Sequence, residues 1–174
     1  MILDTENYAK AEGKVVKYRI ISVGRIRENF YQEGIKEYLK RLTAYTAIEM
    51  LDGLEEKISP RSSEKEIARI LQKEGDRILA LLGDNEILIV LDPQGEALSS
   101  EQLAVRVQEL NLQAKTRINL VIGGAHGLAP PVKQRADQTI SLSKMTFPHQ
   151  MAVLLLTEQL YRSFKILKGE PYHK

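Results

Sequence analysis

The 174-residue chain has no cysteine and no tryptophan, only three histidines, and aromatic residues at 6%. Without cysteine there is no disulfide framework and no thiolate metal site, and a reducing compartment suits it. Three widely separated histidines do not make a zinc site, so no metal is expected. No apolar run approaches the ~18 residues that a membrane span needs. Met1 to Gly13 is polar and lacks the apolar stretch of a signal peptide. The expectation is a cytoplasmic protein without a membrane partner. An excess of one charge is missing too: 25 Lys+Arg stand against 23 Asp+Glu, a net of +2. That excludes a globally basic nucleic-acid-binding domain and leaves room only for a local basic patch. The chain shows no internal repeat, low-complexity tract or appended RNA-binding module.

What is present is a chain 43% hydrophobic, enough for one domain with its own core. Residues 1–14 read as a mobile N-terminal extension and residues 15–174 as a single domain. Apolar β-branched runs at Val15–Val23, Thr46–Leu51, Glu86–Leu91, Ile118–Ile122 and Thr139–Leu142 predict five strands. Helical spacing predicts helices between them. The first spans about Glu28–Leu42, with Phe30, Ile35, Tyr38, Leu39 and Leu42 as its buried set. Two others open on the capping boxes Ser63-Glu64-Lys65-Glu66 and Ser99-Ser100-Glu101-Gln102. Asp92-Pro93-Gln94-Gly95 is a turn signal that ends the third strand. Ala129-Pro130-Pro131 starts a short helix, and a long one runs from about His149 to Lys168 until Gly169 stops it. Strands and helices that alternate predict an α/β fold, a mostly parallel sheet flanked by helices.

Two segments stand out. Ile118-Asn119-Leu120-Val121-Ile122-Gly123-Gly124-Ala125-His126-Gly127 is a strand that runs into a glycine bend. Glycines there permit positive φ and close backbone approach. It is not a dinucleotide fingerprint: G-x-G-x-x-G is absent, and Ser143 stands where an acid would hold the ribose. Ser141 to His149 offers backbone polar groups beside Met145 and Phe147, a surface suited to an adenine ring; the same two side chains also suit plain core packing. Two such bends at the carboxyl edge of a parallel sheet can build one pocket.

Val121-Ile122-Gly123-Gly124, Leu142-Ser143-Lys144-Met145-Thr146-Phe147-Pro148-His149 and the ending Pro171-Tyr172-His173-Lys174 closely resemble the bacterial large-subunit (23S) ribosomal RNA pseudouridine N3-methyltransferases, small members of the SPOUT class. The resemblance runs from about Val16 to Lys174 and includes Arg19-Ile20-Ile21-Ser22-Val23-Gly24. It implies a trefoil-knotted C-terminal region, a homodimer, and S-adenosylmethionine as co-substrate. Carried over by position, Leu91, Gly123, Leu142, Ser143, Lys144, Met145, Thr146 and Phe147 are expected to line the cofactor pocket. Family members begin almost directly at the first strand. A start nearer Val15 or Val16 is therefore an alternative, which an intact native mass that includes Met1 to Lys14 would refute.

The implied reaction is methyl transfer to N3 of a pseudouridine in ribosomal RNA. Its imide proton requires a base or stabilisation of the anion. His173 is the candidate base, and Tyr172 the candidate to stack on or hydrogen-bond the target. His126 and His149 are weaker candidates. On the last helix Glu158, Arg162, Lys165 and Lys168 share one side opposite a wide apolar face, a pattern that suits a core helix with a solvated charged side; the resemblance implies that the surplus apolar face is a dimer contact. With the resemblance, Arg162, Lys165, Lys168, Arg25 and Arg27 become candidate RNA phosphate ligands, and an assembled ribosome the expected partner. The competing readings are a SPOUT enzyme acting on transfer RNA, a non-catalytic nucleotide- or RNA-binding protein, and a flavodoxin-like domain. The last lacks a phosphate loop, since Gly24-Arg25-Ile26-Arg27 has a single glycine.

Overall fold

The computed structural model describes residues 16–114 and 116–172. Five parallel strands form one sheet: β1 (Lys17–Ser22), β2 (Ala47–Leu51), β3 (Ile87–Ala97), β4 (Arg117–Ile122) and β5 (Gln138–Ser141), in the order β2-β1-β4-β3-β5. The helices are α1 (Asn29–Leu42), α2 (Glu64–Ala80), α3 (Ser100–Gln113), α4 (Pro130–Arg135) and α5 (His149–Leu167). The expected parallel α/β sheet is what forms.

Alternation along the strands explains the layers. Tyr18 and Ile20 of β1, Ile89 of β3 and Ile118, Leu120 and Ile122 of β4 face a core with α1, α3 and α5. Ile21, Val23, Leu88, Val90 and Val121 face the other side, against Ile78 of α2 and Val132 of α4. Fully burying one such side chain is worth about 1.5–3 kcal/mol, so both sheet faces must be covered. Gly34 lets α1 and α5 approach: a Cβ there would lie 2.9 Å from Leu154 Cδ1.

Both capping boxes form. Ser63 and Ser99 accept from the backbone N–H of Glu66 and Gln102, whose side chains reach back to the cap N–H groups. At the end of α5 the Gly169 N–H reaches Ile166 O and the Glu170 N–H reaches Lys165 O, a Schellman close with Gly169 at φ 62°.

Two local expectations are corrected. Phe30 is 62% exposed, and Tyr31 takes its place in the core with Ile35 and Leu42. The turn signal at Asp92 does not end β3. The strand makes an excursion and pairs again, so Ile140 of β5 lies opposite both Leu91 and Glu96. The excursion folds tightly over β5: a Cβ on Gly95 would sit 2.6 Å from Ile140 C and 2.8 Å from Ile140 N. Residues 1–15, which hold the expected N-terminal extension and the expected start of the first strand, Lys115, and His173 with Lys174 lie outside the described residues.

Candidate functional site

All five strands point their carboxyl ends at one edge, where open parallel sheets form ligand crevices. Three consecutive strand ends enclose a cavity of about 360 Å³ there. The β3 excursion contributes Leu91, Asp92 and Pro93, the glycine bend after β4 contributes Gly123 to Ala125, and the loop after β5 contributes Leu142, Ser143 and Met145 to Pro148. His149 and Ala152 of α5 close it.

The bend is tight because Gly127, at φ 81°, returns its N–H to Gly124 O at 3.0 Å. A Cβ on Gly123 would lie 2.9 Å from the Gly127 carbonyl group. The second loop is braced internally: Ser141 Oγ donates to Ser143 O at 2.8 Å, and Met145 N–H donates to Ser143 Oγ at 3.0 Å. Met145 is 69% exposed at the mouth. Of the residues expected here, Leu91, Gly123, Leu142, Ser143, Met145, Thr146 and Phe147 line the cavity, whereas Lys144 does not. Leucine, methionine and phenylalanine side chains beside loop backbone and a carboxylate fit an adenosine-like ligand of this size.

Asp92 is a lining residue that sequence reasoning missed. Its Oδ2 accepts from Lys133 Nζ at 2.6 Å and its Oδ1 from Gln94 N–H at 2.9 Å. The Lys133 hydrogen bond, then the Gln94 amide, hold its carboxyl below the ordinary aspartate range. The signal was present in Asp92-Pro93, but a turn signal does not say which way the turn faces.

Arg25 and Arg27 flank this edge. His149 Nε2 donates to Arg25 O at 3.0 Å, and its ring lies where a Cβ on Gly24 would be. Gln150 Oε1 accepts the N–H groups of Arg27 and Glu28 at 2.6 and 3.0 Å. The first turn of α5 therefore clamps the β1–α1 loop. Arg27 pairs with Glu55 at 2.9 Å.

Arg162, Lys165, Lys168 and Tyr172 gather elsewhere. At 1.5 Å per residue, Arg162 lies about 20 Å along α5 from His149. Arg162 pairs with Glu158 at 2.5 Å, Lys165 pairs with Glu170, and Lys168 Nζ sits 5.4 Å from the Tyr45 ring centroid. The Schellman turn folds the tail back, so Tyr172 packs edge-on against Tyr161 at 4.9 Å, beneath the Arg162 guanidinium at 4.8 Å. Its hydroxyl donates to Glu158 Oε1 at 3.1 Å. Burial, then the Tyr38 and Glu158 contacts, raise the Tyr172 phenol far above its usual value. A single chain thus separates the cofactor-pocket candidates from Tyr172 and the three cations at the C-terminal end of α5. His173 is outside the described residues.

Among the described residues no three His, Asp or Glu side chains cluster in a way that could hold a metal. No helix there is long and apolar enough to cross a membrane.

A family model described as "Predicted SPOUT methyltransferase" matches residues 16–173. A protein of Syntrophomonas wolfei named "Ribosomal RNA large subunit methyltransferase H" is 62% identical over 159 residues, 91% of this chain and all of the relative. Relatives of the same name from Halothermothrix orenii and Enterococcus faecalis are 46% and 42% identical over the same shares. A solved structure of a probable methylase family protein from Haemophilus influenzae matches with a TM-score of 0.50 over 90% of this chain and 70% of that one; at 14% identity the likeness is one of fold. The sheet-edge cavity, the glycine bend beside it and a family match spanning nearly the whole chain lead to one conclusion: this protein belongs to the SPOUT methyltransferase family.

Proposed function

We propose that this protein transfers a methyl group from S-adenosylmethionine to N3 of a pseudouridine in large-subunit ribosomal RNA, as a homodimer working on the ribosome. The observation that carries the reading is the cavity assembled from three successive strand ends, in a chain 62% identical to a relative named for large-subunit ribosomal RNA methylation. When bound, S-adenosylmethionine supplies a methyl group already activated by the sulfonium, so no metal is called for. Leu91, Leu142, Met145 and Phe147 offer apolar contact for the adenosine, and the backbone of the two bends offers hydrogen bonds. Asp92, kept ionised by Lys133, is an acceptor for hydroxyl groups. The residues orient donor and acceptor, and alignment of this kind is worth several kcal/mol of a barrier.

The chain's own residues must also move the imide proton. Tyr172 is a poor base, because burial and Glu158 disfavour its phenolate. It serves as a hydrogen-bond donor and stacking surface, and His173 as the base. Since Tyr172 lies at the far end of α5 from the cavity, we infer that a second copy brings its tail to this chain's pocket. Met151, Leu154 and Tyr161 pack against the core yet stay only half-buried, and the apolar surface they leave supports that contact. The close crossing of Gly95 over β5 supports a knotted C-terminal region.

The test is reverse transcription across ribosomal RNA from cells with and without the gene. A methyl on N3 blocks the pairing edge, so a gene-dependent stop at one pseudouridine is expected. Identical profiles would end the reading.

A further inference from the structure

A second cavity, of about 460 Å³, opens at the same sheet edge on the other side of the glycine bend. It lies between the 55–60 segment after β2, α2 as far as Glu74 and the Gly124–His126 turn. Gly124, Ala125 and His149 line both cavities, so the two adjoin along these residues.

Its chemistry differs from the first. Val23, Ile58, Ile67 and Leu71 make an apolar slot. Into the slot's wall is set Glu74, only 5% exposed, whose Oε1 accepts the Glu56 N–H at 2.8 Å. The segment over the slot is fastened rather than loose: Arg77 donates to Leu54 O at 3.0 Å and pairs with Glu56, and Glu55 N–H donates to Val23 O at 2.9 Å. At the rim stand Lys57 and Arg27; the Arg27 side chain is 70% exposed and meets Glu55 through one nitrogen.

We propose that this cavity is the acceptor subsite. It takes one unstacked pyrimidine nucleotide of the RNA, with the ring in the apolar slot, a flanking phosphate at Arg27 and Lys57, and the reacting edge meeting the methyl donor directly along the border the two cavities share at Gly124, Ala125 and His149. A flat ring needs apolar faces and a few polar groups at its edge. A carboxyl-lined wall favours a ring that presents N–H donors, and a pseudouridine has one ring N–H more than a uridine. Volumes of about 300–1,000 Å³ are usual for small-ligand pockets, so a nucleotide is accommodated. The inference rests on the methyl-transfer reading and adds where the acceptor sits.

Two measurements test it. Ser62 lines the slot and is half-buried, so Ser62→Trp fills it from the rim. Methyl transfer to large ribosomal subunits should fall at least about tenfold in kcat/KM, while the calorimetric Kd for S-adenosylmethionine changes by less than about twofold. A wild-type rate in a folded Ser62→Trp protein overturns the subsite but leaves the methyl-transfer reading standing. No transfer by the wild-type protein defeats the reading itself. The second measurement needs no variant: wild-type protein is photocrosslinked to subunits carrying 4-thiouridine. Crosslinks within residues 55–62 or 124–126 support the subsite. Crosslinks confined to the last two turns of α5 refute it.

Discussion

Gly95→Ala is the most direct probe of how the proposed cofactor pocket is built. The added methyl would lie 2.6 Å from Ile140 C and 2.8 Å from both Ile140 N and Thr139 C. Real Cβ atoms do not come that close, and all three obstacles are backbone of β5, which cannot swing aside like a flexible side chain. Overpacking typically costs about 1–3 kcal/mol, and a clash with three main-chain atoms belongs at the upper end, near 3 kcal/mol. For a domain of this size each kcal/mol moves Tm by about 2–4 °C, so a fall of roughly 6–12 °C is expected. The same shift displaces Asp92 and Pro93, which line the cavity, so affinity for S-adenosylmethionine should drop alongside stability. Gly83→Ala is the control: its Cβ would meet nothing nearer than Glu86 Cγ at 3.5 Å, and its φ is not positive. Thermal unfolding and calorimetry on both variants decide the matter. A Gly95→Ala protein that melts within about 2 °C of wild type, with cofactor affinity intact, would show that the excursion over β5 is not the tight crossing argued above.

Glu74 gives a pH test. Burial, the largest influence, raises its carboxyl pKa above the ordinary glutamate value of 4.5. The folded state then holds the proton more tightly, so this group's contribution is fully present below pH 4.5 and declines as pH rises through the folded value. Glu74→Gln should therefore stabilise more at pH 7.5 than at pH 4.5 in paired melts, and an equal gain at both would remove burial as the cause. His173→Ala should slow single-turnover methyl transfer by about a hundredfold, within the usual range for a general base, and spare cofactor affinity; an unchanged rate eliminates it. Lys168→Ala should lessen the slope of log affinity for ribosomal RNA against log salt by about one, the signature of one lost phosphate contact. A slope equal to wild type takes Lys168 out of the patch. Mixing a His173→Ala chain with a Gly123→Trp chain should restore activity through hybrid dimers if the tail acts on its partner's pocket; two inactive parents that stay inactive when mixed, with hybrids present by native mass spectrometry, would locate the tail's action elsewhere.

Much of the fold was legible because local chemistry and global architecture agree. The capping boxes at Ser63 and Ser99 start helices where the residues say, and Gly169 ends α5 through its positive φ. Errors came where a local signal has two geometric outcomes. Phe30 and Tyr31 are neighbours about 100° apart on α1, and only packing against the rest of the core decides which turns inward. Asp92-Pro93-Gln94-Gly95 announces a bend, but whether a strand resumes beyond it depends on β5, some forty residues later. The strand order is likewise a long-range property that periodicity does not encode. Most of the pocket residues carried over by resemblance converge, because they sit at three strand ends that the parallel sheet brings to one edge. Lys144 is not among the cavity's lining residues, and Arg162, Lys165 and Lys168 lie toward the opposite end of a rod about 28 Å long. Glu74 left a sign that was passed over: it occupies an apolar phase of α2, in step with Ile67, Leu71 and Ile78.

The first turn of α5 has a consequence for the energetics of the whole cycle. The His149 and Gln150 side chains hold the backbone of Arg25, Arg27 and Glu28 by hydrogen bonds, and His149 also lines the proposed cofactor pocket. A ligand that displaces this turn drags the arginine loop with it. Thermodynamic linkage then makes the influence mutual: whatever factor the methyl donor imposes on RNA affinity, RNA must impose on the donor.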